Sequence, residues 1–393
     1  MYLNGSSLPT GKKVFMKNLL HSLKDFAGKE FSFSLWWRLV AFTVLGIMGS
    51  AALLVYVVDP HYRYRLPKFY KTVYYEIYAT APRLISDMEY DFFMLGSSMC
   101  RNFFLEDIDK AFSCKSMKFA AAGASTIDLC KFVDMAVKAK GDKLKRILFS
   151  LDIYALNKTA PHWKDFSYMY RKDHKEDYKY IFHKDTYSSI HYLFKRAHRP
   201  KGKRKYQADK NRMFSTEHEK SKYGTEYVKV SAEHCYRIHH SQTPLSPAGY
   251  KNLKNELLAM VDSNPGIEFI IFLPPYHIYS YCLSEIYGEA EGILKLREDA
   301  LLELIRRKNV KLFDFQSDPE IVCNGSYFTD IQHFSSKLAG KLLFRMAEGR
   351  YQLKTKEDVR KNVSSLRKLI RENMPSFRKD VSAPSSTSLK GGK

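Results

Sequence analysis

The chain has 393 residues, a formal charge of +22 at pH 7 and 45% hydrophobic residues. That length and apolar content allow one large folded core with additions, and exclude a chain too polar to fold. So basic a composition favours anionic partners through its long-range field. Zinc-finger spacing, RNP-like aromatic motifs and helix-turn-helix signals are missing, so nucleic acid is not expected among them. The six cysteines, Cys100, Cys114, Cys130, Cys235, Cys282 and Cys323, form no Cys-x-x-Cys pair, and no metal centre is expected. Cys130 lies on an apolar stripe and reads as a core thiol, while the even count leaves disulfides open.

Residues 1–38 are polar and basic and read as a cytoplasmic leader. Residues 39–58, LVAFTVLGIMGSAALLVYVV, carry no charge. At about 1.5 Å per residue they reach about 30 Å, the thickness of a bilayer's hydrocarbon core. A single transmembrane helix is expected here, flanked by Trp36, Trp37 and Arg38 and stopped by Asp59-Pro60. A cleaved signal peptide is the alternative, but the run is longer than the usual apolar region and no small-x-small site follows it. Basic residues before the span and Arg63, Arg65, Lys68 and Lys71 after it offset one another, so charge does not fix the orientation. Long domains translocate largely regardless of charge, and the body is expected outside the cytoplasm. Residues 59–89, rich in Tyr and Arg, read as a helical juxtamembrane stalk lying against lipid head groups.

From Asp91 onward short apolar runs alternate with amphipathic ones. Strands are expected at 92–95, 117–122, 147–152, 268–273 and 310–315, and helices at 105–112, 126–138, 247–262, 285–307 and 335–348. Such alternation is the mark of an α/β fold, a parallel sheet with crossover helices on both faces. Residues 90–350 form this domain, interrupted at 155–246 by a basic, aromatic insertion. Because it follows the third strand, the insertion is expected at the carboxyl edge of the sheet, either as a lid or cleft for an anionic or sugar-containing substrate or as a partly disordered basic loop. Within it, His239-His240 has no neighbours that would complete a metal site. Residues 351–393 read as a charged tail, helical over 357–371 and disordered at its Ser-rich end.

The run 92–95 stops on Gly96-Ser97-Ser98. That puts Ser98 at a strand-to-helix corner, its hydroxyl above the sheet edge and backbone N–H groups beside it. An N-capping serine is the simpler use of such a residue. Far downstream, Thr329-Asp330-Ile331-Gln332-His333 sets a carboxylate and an imidazole three residues apart. Asp330 can then hold one ring nitrogen of His333 and leave the other to take a proton from a serine hydroxyl. A surface loop with an incidental histidine is the alternative for that stretch alone. Chain order Ser, Asp, His suits a serine hydrolase on an α/β sheet. Pro274-Pro275-Tyr276-His277 ends a strand at the same edge, so His277 and Tyr276 are expected to line the pocket, a rigid turn favoured by the two prolines being the alternative.

Together, Gly96-Ser97-Ser98-Met99-Cys100 and Asp330-Ile331-Gln332-His333 resemble the first and last blocks of the SGNH (GDSL-like) hydrolases and acyltransferases, with Ser97 where that family usually has Asp. The resemblance implies a three-layer α/β/α, flavodoxin-like parallel sheet. It implies Ser98 as nucleophile, His333 as general base and Asp330 as the acid that orients it. It also implies Gly123, in Ala120-Ala121-Ala122-Gly123, as the oxyanion-hole glycine of the second block. The third block, Gly-x-Asn-Asp, is not recognisable; Asp152 and Asn157 are its nearest candidates, and Asn102 is a further candidate donor. An apolar span ahead of such a domain is similar to the membrane-anchored branch that includes DltD-like and alginate O-acetylation proteins. The expected function is a membrane-anchored serine esterase or O-acyltransferase acting on an ester of a cell-envelope glycan, lipid or polymer. A membrane-bound acyltransferase partner, no cofactor and an extracytoplasmic body go with it. The second expectation is a domain of the same shape without chemistry, a scaffold in an envelope-modification complex, which Ser97 and the missing third block favour.

Overall fold

The computed structural model describes residues 33–67, 76–197, 223–238 and 247–382, and the chain divides into two units after Val57. Most of the expected leader, the middle of the insertion with His239-His240, and the Ser-rich end lie outside the described residues. Helix α1, Phe33–Val58, has 26 residues. It starts earlier than the charge-free run because Trp36, Trp37 and Arg38 continue the same helix. It is long and apolar enough to cross a bilayer.

The second unit is built on a six-stranded sheet. Strands β1 (Phe92–Gly96), β2 (Ser116–Ala120), β3 (Arg146–Ser150), β4 (Glu268–Leu273) and β5 (Val310–Asp314) are parallel, in the order β2-β1-β3-β4-β5. A short β6, Gln352–Leu353, adds an antiparallel edge on β5; two residues are too few to carry a strand pattern in sequence. All of β1 is buried, which is why it reads as an unbroken apolar run rather than an alternating one.

The helices are α2 (Ile77–Asp87), α3 (Leu105–Phe112), α4 (Thr126–Lys140), α5 (Asp177–Ile181), α6 (Lys184–Ala197) and α7 (Thr225–Arg237). They continue with α8, running from Ala248 to Asp262 through a π-helical middle, then α9 (Ile278–Ile286), α10 (Ala290–Leu304), α11 (Ser336–Ala347) and α12 (Lys356–Ser382). From β1 the chain steps one way to β2, and from β2 onward, over β1 to β3 and then to β4 and β5, it steps the other way. Right-handed crossovers then send the connecting helices to opposite faces. The packing agrees: α3 pairs with α11, whereas α4 and α10 both pack on α8.

Two expectations are corrected here and a third is extended. The helix expected over 285–307 is two helices, α9 and α10, parted near Gly288, whose φ of 72° suits glycine. The stretch expected as a stalk is part of the body: Asp59, His61, Tyr62 and Arg63 are buried, and α2 buries Tyr78, Ala79, Leu84 and Ile85 against α4 and its neighbours. The helix expected over 357–371 is present and longer than read, Lys356–Ser382, and it packs on the body. Helix α12 has 27 residues and sinks Val359, Val363, Leu366, Ile370, Phe377 and Val381 between α9, α10 and α7, running through Pro375, which obscures its continuation in sequence.

Candidate active site

The end of β1 is tight. A Cβ on Gly96 would lie against Cys100 Sγ and 2.6 Å from Ser150 Cβ, so glycine lets β1 pass close to β3 before it turns. Ser97 follows in extended geometry and caps a single 3₁₀ turn, Ser98–Cys100, its hydroxyl accepting from Met99 N–H at a long 3.4 Å. The capping role expected of a serine here thus falls to Ser97, which leaves Ser98 free for another. Half-buried at the start of the turn, Ser98 has its Oγ 2.8 Å from Nε2 of His333.

His333 lies just outside α11, which starts after Ser335 caps it by accepting from Leu338 N–H at 3.3 Å. Its loop is pinned at several points. Phe328 and Phe334 form an antiparallel bridge, Thr329 N–H donates to His333 O at 3.0 Å, and His277 N–H donates to Ile331 O at 3.1 Å. Inside the loop, Asp330 Oδ1 accepts the N–H groups of Gln332 and His333, each at 2.7 Å, and Oδ2 lies 2.8 Å from His333 Nδ1. Burial pushes the Asp330 carboxyl up. The hydrogen bond and charge of His333 and the two backbone donors outweigh that and hold it below the usual aspartate value. An ionised Asp330 only accepts, so Nδ1 carries the ring proton and Nε2 offers its lone pair to the Ser98 hydroxyl.

The serine turn lies at the carboxyl ends of β1 and β3, where the strand order reverses, the usual position of a site on an open α/β sheet. Ala121 N–H donates to Gly96 O at 3.0 Å, so the loop 121–125 begins beside that turn. Gly123, within it, has φ of 68°, and its carbonyl accepts from Lys158 Nζ at 2.5 Å. Among the described residues, the N–H groups of Ser98 and Gly123 bond to no protein acceptor. The Ser98 N–H, unused beside its own hydroxyl, is a donor of the kind an oxyanion requires, and the Gly123 N–H, in the loop that begins at Ala121, is the candidate for a second.

Other expected site residues take structural posts. Asp152 Oδ2 accepts from Ser97 Oγ at 3.1 Å, and Oδ1 accepts from Tyr276 OH at 2.6 Å and Tyr154 N–H at 3.0 Å. It therefore ties together the ends of β1, β3 and β4. Tyr276 is fully buried, and burial, then the charge and hydrogen bond of Asp152, raise its phenol well above the ordinary range, so it stays a donor. Asn102 Nδ2 donates to Phe334 O, a strut from the serine turn to the histidine loop rather than a donor aimed at substrate. Asn157 is buried with its amide oxygen beside Gly249, and its side chain has no hydrogen-bond partner among the described residues, Ser98 included. His277 is buried and caps α9, its Nδ1 accepting from Tyr279 N–H at 3.2 Å. Burial lowers its pKa to about 4, and it serves the site through its backbone instead of lining a pocket.

Two lysines escape the sequence reading. Lys118 on β2 is buried, and its Nζ donates to Arg101 O at 2.9 Å and to Phe103 O. It thereby holds the turn that carries Ser98 and Asn102 from below, and burial lowers its pKa to about 8. A single lysine in the apolar run 117–122 is a usable signal for such a role. Lys158, the partner of Gly123, sits among so many basic residues that nothing marks it out. Comparison of the chain with family models, with curated proteins and with solved structures finds no match.

Proposed function

We propose that this chain is a membrane-anchored serine esterase or O-acyltransferase of SGNH type, with α1 as the anchor. The observation that carries the reading is the unbroken relay from Ser98 Oγ through His333 to Asp330, two contacts of 2.8 Å each. The parallel strand order 2-1-3-4-5 is that of flavodoxin-like sheets. It supports a three-layer SGNH-like fold, as do the two helix groups. A scaffold has no use for an ionised carboxylate, a directed imidazole and a hydroxyl in register, so the relay favours the catalytic reading.

In this mechanism Ser98 Oγ attacks the ester carbonyl carbon as its proton passes to His333 Nε2. The developing oxyanion is met by the N–H groups of Ser98 and Gly123, donors commonly worth about 3 kcal/mol each. The tetrahedral intermediate collapses, the bond to the leaving alcohol breaks, and His333 returns the proton to that oxygen. Water or a glycan hydroxyl then attacks the acyl-Ser98 ester with His333 again as base, releasing an acid or a new ester and restoring Ser98. An ester of a cell-envelope glycan, lipid or polymer, an acyltransferase partner and an extracytoplasmic body complete the proposal. The test is turnover of an aryl acetate by the full chain in detergent, with and without added sugar hydroxyls. Turnover lost in Ser98→Ala supports the enzyme; equal rates for a folded Ser98→Ala variant contradict it.

A further inference from the structure

The residues that follow α1 are knotted into the body. Asp59 and Tyr62 have φ of 44° and 60°, values that a side chain tolerates only when its surroundings enforce them. The Asp59 carboxylate accepts the N–H groups of Arg63, Tyr64 and Arg65 at 2.8, 2.9 and 2.9 Å and the Tyr180 hydroxyl at 3.0 Å. Arg63 donates to Asp177 at 2.8 Å and to the carbonyls of Arg171 and Asp173 at 2.7 and 2.8 Å. His61 Nε2 lies 2.8 Å from Ser189 Oγ, and its N–H donates to Tyr180 OH at 3.2 Å. Helices α5 and α6 are thus gripped by residues 59–65 through buried polar bonds.

Val58 is the last residue of α1, and His61 follows after three peptide links, about 10 Å of fully extended chain. A span that ends at a bilayer surface therefore leaves only about 10 Å of chain between that surface and the residues that hold α5 and α6. Their outward sides suit it. Tyr178, Phe182 and Phe194 are exposed, while Thr186, Ser189 and Ile190 face the core. Of the nearby acids, Asp173 pairs with Arg171 at 2.8 Å, Glu176 with Lys179 at 3.2 Å and Asp177 with Arg63 at 2.8 Å, while Asp185 N–H donates to His183 Nδ1 at 3.3 Å. Exposed Lys172, Lys184 and Lys195 have no carboxylate partner among the described residues. Beyond Lys195 the sequence adds Arg196, Arg199, Lys201, Lys203 and Arg204. Exposed rings beside unpaired cations are the composition of a surface that meets lipid head groups.

We infer that α5 and α6 form an interfacial platform resting on an anionic phospholipid surface, with Phe182 and Phe194 in the head-group layer and Lys184 and Lys195 on phosphates. The inference rests on reading α1 as a membrane span, and is independent of the chemistry at Ser98. It is tested with the full chain in nanodiscs of phosphatidylcholine, alone or mixed with phosphatidylglycerol, with bromine on the upper acyl chain. Phe182→Trp reports on the platform and Tyr250→Trp on an exposed ring of α8 outside it, each measured relative to the parent chain. Bromine is expected to quench the Phe182→Trp variant and not the Tyr250→Trp variant, more strongly with phosphatidylglycerol, and Lys184→Glu with Lys195→Glu is expected to remove that lipid dependence. Amide exchange of residues 177–195 in the unmutated chain is expected to slow in anionic nanodiscs relative to detergent. Equal quenching of both variants, or exchange unchanged by lipid, overturns the platform, including in favour of a protein partner on that face. Release of the chain from membranes by alkaline washing overturns the span as well; retention with equal quenching overturns the platform alone.

Discussion

Asp314 and Asp330 each hold a basic side chain close to the carboxyl edge of the same sheet, by opposite means. Asp314 ends β5 and pairs with Arg297, the two side chains being 0% and 1% exposed. Its oxygens also accept from Asn362 Nδ2 and Gln316 N–H, both at 3.0 Å. Asp330 and His333 are 33% and 36% exposed, and the imidazole turns its second nitrogen to a hydroxyl. A sealed ion pair is a clamp whose loss leaves a charge stranded in the core. A half-open pair with one nitrogen to spare is a means of moving a proton.

The comparison predicts opposite profiles for the two carboxylates. Asp330→Asn is expected to slow Ser98-dependent turnover by about 10⁴-fold, because the amide no longer enforces the tautomer that leaves Nε2 bare. Its thermal melting is expected to stay close to that of the parent. Asp314→Ala is expected to cost about 3–5 kcal/mol in urea unfolding by stranding Arg297, with turnover per folded molecule unchanged. Equal effects of the two substitutions on both readouts would erase the distinction.

Smaller substitutions sharpen it. Asn102→Ala removes the strut to Phe334, and is expected to lower turnover about tenfold, equivalent to about 1.4 kcal/mol, the scale of one hydrogen bond. A rate unchanged by Asn102→Ala, measured on folded protein, would mean that the histidine loop holds itself.

The smallest effect is in acid. His61 and His277 both have pKa values lowered from 6.5 to about 4, by burial first. Between those values the unfolded chain binds protons that the folded chain refuses, so stability falls as pH drops through that window. Asp330 acts with the same sign, since its folded pKa lies below the unfolded one. Its contribution is whole above the usual aspartate range and is lost as pH falls through the folded value. Urea unfolding at several pH values is expected to show that slope, and His277→Gln to flatten it.

What was legible in the sequence is what depends on neighbours along the chain. Gly96-Ser97-Ser98 after an apolar run and Asp330 three residues before His333 are local patterns with local causes, and the parallel strands follow from apolar runs flanked by crossover helices. The supports of the site are not local. Asn102 meets Phe334 across 232 positions and Tyr276 meets Asp152 across 124, so neither partner marks the other. The spacing of Val359, Val363, Leu366 and Ile370 reads as one face of a helix, yet nothing nearby says that α9 and α10 wait to receive it. Asp59 to Arg65 looks like a polar linker, because the groups that bury it lie more than a hundred residues away, at Tyr180 and Ser189.

The central claim is that Ser98 is a nucleophile made so by His333 and Asp330. The most direct measurement is peptide mass mapping of the folded full-length chain after treatment with a fluorophosphonate. The account predicts a single phosphonyl adduct on the peptide that contains Ser98, absent in His333→Ala. Folded protein without an adduct, or with one on another residue and none on Ser98, would contradict it.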